Sequence, residues 1–282
     1  MPHDTFSDGD RGGRAWRGLA SPRSASGRSA LVEPLPHHIS CDALHVSFRA
    51  DPQRIARLLP PGLEPLESGE GWVMIAEMTK VSAADPDRPW REPARANYNE
   101  CVLGFYCRFG ERLGRYSALV WVDRDWSMGM GPIFGWSKRL SSVDRTRLHP
   151  LNPGHRTIEE GTTLGGTVSR LGRPVLSLSV TFAPGTPPLD RLPGHSASTF
   201  LYRYVASPSP DVADVEQLFE LPLSNLRTSP VQVGSEASIE TFAASDEEVA
   251  DLGSLEVTAG YAYQRGWTTD RVARLLKDYA TP

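Results

Sequence analysis

The chain has 282 residues, 39% hydrophobic and 9% aromatic, with 30 Lys+Arg against 34 Asp+Glu and a formal net charge of −4. That is core material for one large domain or two small ones, without the basic footprint of a nucleic-acid binder. No apolar run approaches the roughly 18 residues of a membrane span, and Cys41, Cys101 and Cys107, odd in number and without a CxxC pair, read as reduced thiols in a cytoplasmic protein.

Residues 1–30 hold Arg11, Arg14, Arg17, Arg23 and Arg28 among many Gly and Ser, a composition that buries little and predicts a flexible tail. The absence of an apolar stretch and the presence of Asp4, Asp8 and Asp10 speak against a targeting peptide. Residues 31–282 read as a single domain. Leu44–Phe48 alternates apolar and polar, as a strand does. Asp51-Pro52 then sets an N-cap before proline at the first helical position, and a short helix runs to Leu58-Leu59. Trp72–Met78 is apolar enough for a buried strand, and Ala84 to Pro89 is a turn-rich loop. Cys101–Phe109 and Tyr116–Val122 follow as a hairpin about Gly110–Gly114.

Strand-like content recurs in Ser141–Arg147, Thr163–Arg170, Val175–Phe182, Phe200–Val205, Gln217–Leu221, Ser238–Phe242 and Leu255–Gln264. Thr268 or Thr269 is placed to cap a C-terminal helix with Val272, Leu275, Leu276 and Tyr279 at helical spacing. The fold predicted is mainly β (α+β), a closed antiparallel β-barrel-like sheet with a few short helices and a C-terminal helix.

Lysine is scarce, occurring only as Lys80, Lys138 and Lys277. Arginine supplies nearly all the positive charge, so a lysine here suggests that an amine is needed. Lys138 follows ten uncharged residues, Met128 to Ser137, and precedes Arg139. Lost hydration and a like charge both favour the neutral amine, which attacks carbonyls to form a Schiff base. The competing reading is a solvated lysine at a strand start.

Glu100, just after Tyr98-Asn99, and Glu77, inside an apolar strand, are candidate proton shuttles or ion-pair members. Gly129 and Gly131 lack the spacing of a dinucleotide fingerprint and instead allow close backbone approach. His37-His38 with Asp123 and Asp125 lacks a third ligand at a recognisable metal spacing.

The segment Gly131-Pro-Ile-Phe-Gly-Trp-Ser-Lys138-Arg139-Leu140 resembles the active-site segment of acetoacetate decarboxylase, itself the standard example of a lysine activated by a neighbouring cation. Phe48 to Glu64, Tyr98-Asn99-Glu100, Phe200–Val205 and Glu256–Tyr263 extend the resemblance over about residues 40 to 265. The resemblance implies a barrel-like fold, an oligomer, Lys138 as imine-forming lysine, Arg139 as the activating cation and Glu100 as acid/base. It matches Glu77, or a residue beside it, to a second carboxylate of the family.

Four positions depart from the family: Arg139 stands for a second lysine and Ser137 for a proline, and two more bear on the substrate. Cys41 stands where the decarboxylases carry an arginine, and Phe134 stands where relatives that condense pyruvate with aldehydes carry a glutamine. The expected function is an imine-forming carbon–carbon lyase acting on a small 2-oxo or 3-oxo acid. No metal or organic cofactor, nucleic acid or membrane is implied. Tyr98, Glu77, Phe134, Trp136 and Tyr263 are the expected substrate contacts. The alternative is a non-catalytic binding barrel whose apolar pocket Phe134 and Trp136 line.

Overall fold

The computed structural model describes residues 17–155, 157–159, 161–183, 187–194, 198–209, 213–270 and 273–280. Its strands, in chain order, are β1 (His37–Arg49), β2 (Glu64–Pro65), β3 (Glu70–Ser82), β4 (Asn97–Phe109), β5 (Arg112–Val122), β6 (Lys138–Leu140), β7 (Ser142–Arg145) and β8 (Thr163–Arg170). Then come β9 (Arg173–Thr181), β10 (Ser198–Ala206), β11 (Ala213–Leu221), β12 (Ser224–Thr228), β13 (Gln232–Val233), β14 (Glu236–Thr241), β15 (Glu256–Thr269) and β16 (Arg274–Asp278). Four short helices interrupt them: α1 (Pro52–Ala56), α2 (Arg88–Arg91), α3 (Asp125–Gly129) and α4 (Gly131–Phe134).

A 12-stranded sheet has the order β12-β15-β1-β3-β4-β5-β10-β11-β16, and β14-β9-β8-β7 form a second sheet. The expected closed antiparallel barrel is therefore wrong on two counts. The end strands β12 and β16 do not meet, and β5 pairs in parallel with both β6 and β10. The apolar face of the large sheet is covered by the second sheet instead of by its own closure. Leu44, Val46, Val73, Ile75, Leu103 and Trp121 pack there against Val143, Leu164, Leu176 and Val180.

Among the described residues the C-terminal helix is also absent. Residues 274–278 form β16, paired with β11 from Gln217↔Asp278 to Glu220↔Arg274. Thr268 and Thr269 end β15, and Val272 lies outside the described residues. The hydrogen-bonding edge of β11 outweighs a weak local helical pattern, and Tyr279 anchors the end by donating to the Pro61 carbonyl at 2.5 Å. The α1 cap forms as its sequence dictates: Asp51 accepts from the Gln53 amide at 2.8 Å, and Ile55 is buried.

Of the segment expected to be a tail, residues 1–16 lie outside the described residues. Arg17 and Ser24 form an isolated bridge, Ala30 is buried, and Leu19 and Ala20 pack against the uncovered face of the large sheet.

Candidate active site

Alternation along the strands gives the large sheet a second, more polar face. β4 sends Cys101, Leu103 and Phe105 into the main core, and Tyr98, Glu100 and Val102 to the other side. From β1, Cys41 and Ala43 share that side; β3 adds Ala76, Met78 and Lys80, and β15 adds Tyr261 and Tyr263. Trp126 of α3 and Val32 cover part of it.

Lys138 reaches this face because β6 runs parallel to β5 with Val120↔Lys138 in register. Two glycines allow the approach. A Cβ on Gly131 would lie 2.7 Å from the Trp136 carbonyl, and Gly135, at φ 90°, ends α4 in the left-handed conformation. The Lys138 Nζ donates to Glu100 Oε2 at 2.8 Å and to Ser127 Oγ at 3.0 Å, and sits 5.5 Å from the Tyr98 ring centroid. The Lys138 and Glu100 side chains are 5% and 11% exposed. A buried amine against a carboxylate is a pair that can exchange a proton and then leave a nucleophile facing a carbonyl. Burial, with the Glu100 charge adding to it, holds the Tyr98 phenol well above its ordinary range, so that it stays a neutral hydroxyl.

A second buried amine lies close by. Lys80 donates to Glu33 and lies 4.2 Å from the Trp126 ring centroid. Arg95 and Arg88 also contact Glu33, at 3.0 Å and 3.4 Å. Burial lowers the Lys80 pKa most; Glu33 opposes this, and the Arg95 and Lys138 charges add to the depression. Burial alone would raise Glu33, yet the Lys80 charge and hydrogen bonds hold it below its usual value.

The structure thus brings together Lys138, Glu100 and Tyr98, with Tyr263 further along the same face. Tyr263 is buried and its hydroxyl donates to Met74 Sδ at 3.5 Å. Phe134 packs against the buried residues of this face, while Trp136 is half-buried on the approach to Lys138. Arg139 does not join them. Next to Lys138 in a strand it points the other way, beside Trp121, and bonds Glu247 at 2.7 Å. Glu77 also faces away, held by Arg147 and 3.9 Å from Arg145. A groove of about 530 Å³ runs past Glu77, Asp42, Arg227 and Gln264 and also borders Cys41 and Arg265.

Sequence reasoning missed Ser127 and Lys80. The scarcity of lysine was a usable signal for Lys80, since Lys277 is the only one of the three that is exposed. Among the described residues no group of three or more His, Cys, Asp or Glu is arranged to hold a metal ion, and no helix is long and apolar enough to cross a membrane.

An open-sheet fold with a lysine–carboxylate pair buried on one face defines an enzyme of the acetoacetate-decarboxylase-like class. The family model for acetoacetate decarboxylase (ADC) matches residues 20–279, and the chain belongs to that family. It is similar to an acetoacetate decarboxylase-like enzyme from Sphingomonas wittichii RW1, with 31% identity, a TM-score of 0.81, and 88% of this chain and 96% of that one covered. It also resembles the enduracididine biosynthesis enzyme MppR complexed with the condensation product of pyruvate and imidazole 4-carboxaldehyde, at 26% identity and a TM-score of 0.85, covering 95% of this chain and 100% of that one. An acetoacetate decarboxylase from Legionella pneumophila shares the fold at 15% identity and a TM-score of 0.68, with 87% and 88% covered. No curated protein matches the chain.

Proposed function

We propose that this protein is a Schiff-base lyase that condenses a small 2-oxo acid with an aldehyde and removes water, using Lys138 as the nucleophile. The carrying observation is the contact of Lys138 Nζ with Glu100 Oε2 at 2.8 Å on a buried face. Glu100 takes a proton from the ammonium, and the free amine attacks the carbonyl carbon. Glu100 returns that proton to the carbinolamine hydroxyl, which leaves as water, and an iminium forms. This cation is an electron sink: Glu100 removes a proton from the adjacent carbon, giving an enamine. The enamine carbon attacks the aldehyde carbonyl carbon, whose oxygen takes up a proton. Loss of that hydroxyl as water, then hydrolysis of the imine, frees Lys138 and an unsaturated 2-oxo acid. One 2-oxo acid and one aldehyde give one product and one water overall.

Tyr98, Ser127 and Tyr263 are assigned to orienting the substrate, and Phe134 and Trp136 to shielding it. The positive charge that the resemblance assigns to Arg139 is assigned instead to Lys80, which shares the face with Lys138. Condensation is preferred to decarboxylation because Cys41 replaces the arginine of the decarboxylases; the pyruvate condensation product bound to the MppR relative supports the same choice. We take the enzyme to be a cytoplasmic homo-oligomer that needs no metal or organic cofactor, with residues 31–282 as its domain. Incubation with pyruvate alone, pyruvate plus an aldehyde, and acetoacetate tests the chemistry. Pyruvate loss only with the aldehyde, with a conjugated product absorbing in the near ultraviolet, is expected. Carbon dioxide release from acetoacetate without any condensation would reverse the assignment.

A further inference from the structure

The face that carries Lys138 also carries a cation with no counter-charge. Arg265 of β15 is 9% exposed, and its Nε and Nη2 have no hydrogen-bond partner. Its guanidinium carbon lies 5.7 Å from the Trp267 ring centroid. Lys138, Lys80 and Arg145, by contrast, are each paired with a carboxylate: Lys138 with Glu100, Lys80 with Glu33 and Arg145 with Asp42. Arg265 has no carboxylate partner among the described residues. Arg115 repeats the pattern nearby. Its Nε donates to Thr199 Oγ1 at 3.1 Å, and burial, followed by the Arg265 charge, brings its pKa down to about 10.

Burial, and after it the Arg115 and Arg265 charges, hold His45 at about 3, and its Nδ1 has no partner. A folded chain rarely keeps two guanidinium groups and a neutral histidine together without an anion, because burying an unpaired charge is strongly unfavourable. A planar guanidinium with free N–H groups matches a carboxylate.

Strand register places this cation relative to Lys138. One row of cross-strand partners reads Arg265, Cys41, Met78, Tyr98; the next reads Tyr263, Ala43, Ala76, Glu100. Arg265 and the Lys138–Glu100 pair therefore face one another across a bed of small or thin side chains. Three strand spacings, ~14 Å of backbone, separate β15 from β4, and long side chains reach inward from each end. A substrate bridging the two groups presents its carbonyl at one end and its carboxylate at the other.

We propose that Arg265, backed by Arg115, is a carboxylate subsite of the Lys138 site. The substrate would then carry a carboxylate a few carbons away from the reacting carbonyl. The carboxylate would belong either to the oxo acid that forms the imine or to the aldehyde that the enamine attacks. The carbonyl end of this assignment rests on the imine-forming reading above; the carboxylate end does not.

Borohydride trapping on the full chain tests it. In the first arm, the concentration that half-saturates adduct formation is compared for 2-oxoglutarate and 2-oxobutanoate. In the second, pyruvate-treated enzyme is given succinic semialdehyde or butanal. A preference for the acid-bearing reagent on the order of 10- to 100-fold is expected in one arm, and that arm identifies the source of the carboxylate. Arg265→Met should abolish the preference while leaving the neutral-tailed reagent unchanged. Removing an unpaired buried charge should also raise the Tm of the ligand-free protein. Arg265→Lys, which keeps the charge but not the fork, should retain part of the preference. If no adduct forms with any reagent, the imine reading fails, and the subsite is judged by glutarate alone: it should raise the Tm of the wild type and not that of Arg265→Met. Equal use of both reagents in both arms, or a glutarate response unchanged in Arg265→Met, would overturn the proposal, as would an Arg265→Met Tm below wild type with the preference intact.

Discussion

The two faces of the large sheet are built from the same strands and do opposite things. Toward the second sheet, Ile75, Cys101, Leu103 and Trp121 are sealed into a continuous apolar core. Toward the other side, the same strands present Ala76, Lys80, Tyr98 and Glu100 to Lys138 and Arg265. Because side chains alternate every residue, one hydrogen-bonded ladder carries both the fold's apolar stabilisation and a set of buried charges. Mutations on the first face should cost stability, and mutations on the second should cost chemistry.

The largest separation is expected at Glu100. Glu100→Gln removes the carboxylate that moves protons during turnover but not the amine, which can pass its own proton to water, so borohydride trapping at Lys138 should persist while turnover falls on the order of 10² to 10⁴-fold. Steady-state rates and intact mass on the same sample decide it; loss of trapping together with loss of fold would make Glu100 structural. Across the sheet, Trp121→Ala should cost about 3–5 kcal/mol in urea unfolding, since a fully buried indole is replaced by a void. The protein that remains folded should still be trapped.

A finer test compares the two cations considered for Lys138. Lys80→Met removes a like charge from the same face and should slow trapping at neutral pH on the order of tenfold. Arg139→Gln, on the opposite face, should leave trapping within about twofold at that pH. The reverse order would return the activating role to Arg139.

The polar face should also be acid-sensitive. Burial lowers His45 to about 3 and His37 to about 4, so both are neutral in the fold. Their unfolded values lie near 6.5, so the unfolded chain binds more protons as the pH falls below that. Stability from these groups is present above about 6.5 and is lost toward the folded values, at roughly 1.4 kcal/mol per pH unit for each proton. Urea midpoints between pH 7 and pH 4 should fall, and the fall should be shallower in His45→Gln.

The sequence makes much of this visible, and its failures have physical causes. Thr163–Arg170 alternates clearly and is a strand with the expected bounds. Lys138 and Glu100 stand out by lysine scarcity and by their neighbours, and they meet. The direction of Arg139 was not legible, because it depends on Lys138 being inside a strand whose partner is β5 rather than at the end of a helix. The final segment has helical spacing, but its partner β11 lies more than 50 positions earlier, and no local pattern reports that pairing. Whether a sheet closes depends on its end strands meeting, which is equally non-local. Lys80 escaped notice because its partner Glu33 is 47 residues away in a segment that reads as the start of a domain.

The central claim is that Lys138 is an imine-forming nucleophile. The direct measurement is intact mass after incubation with pyruvate and borohydride, followed by peptide mapping. Reduction turns an imine into a stable secondary amine, so the account predicts one pyruvate-derived adduct per chain, at Lys138 and absent in Lys138→Ala. With Lys80 and Lys277 the only other lysines, the position is readily assigned. An adduct at Lys80 with Lys138 unmodified, or no adduct with any oxo acid, would contradict it.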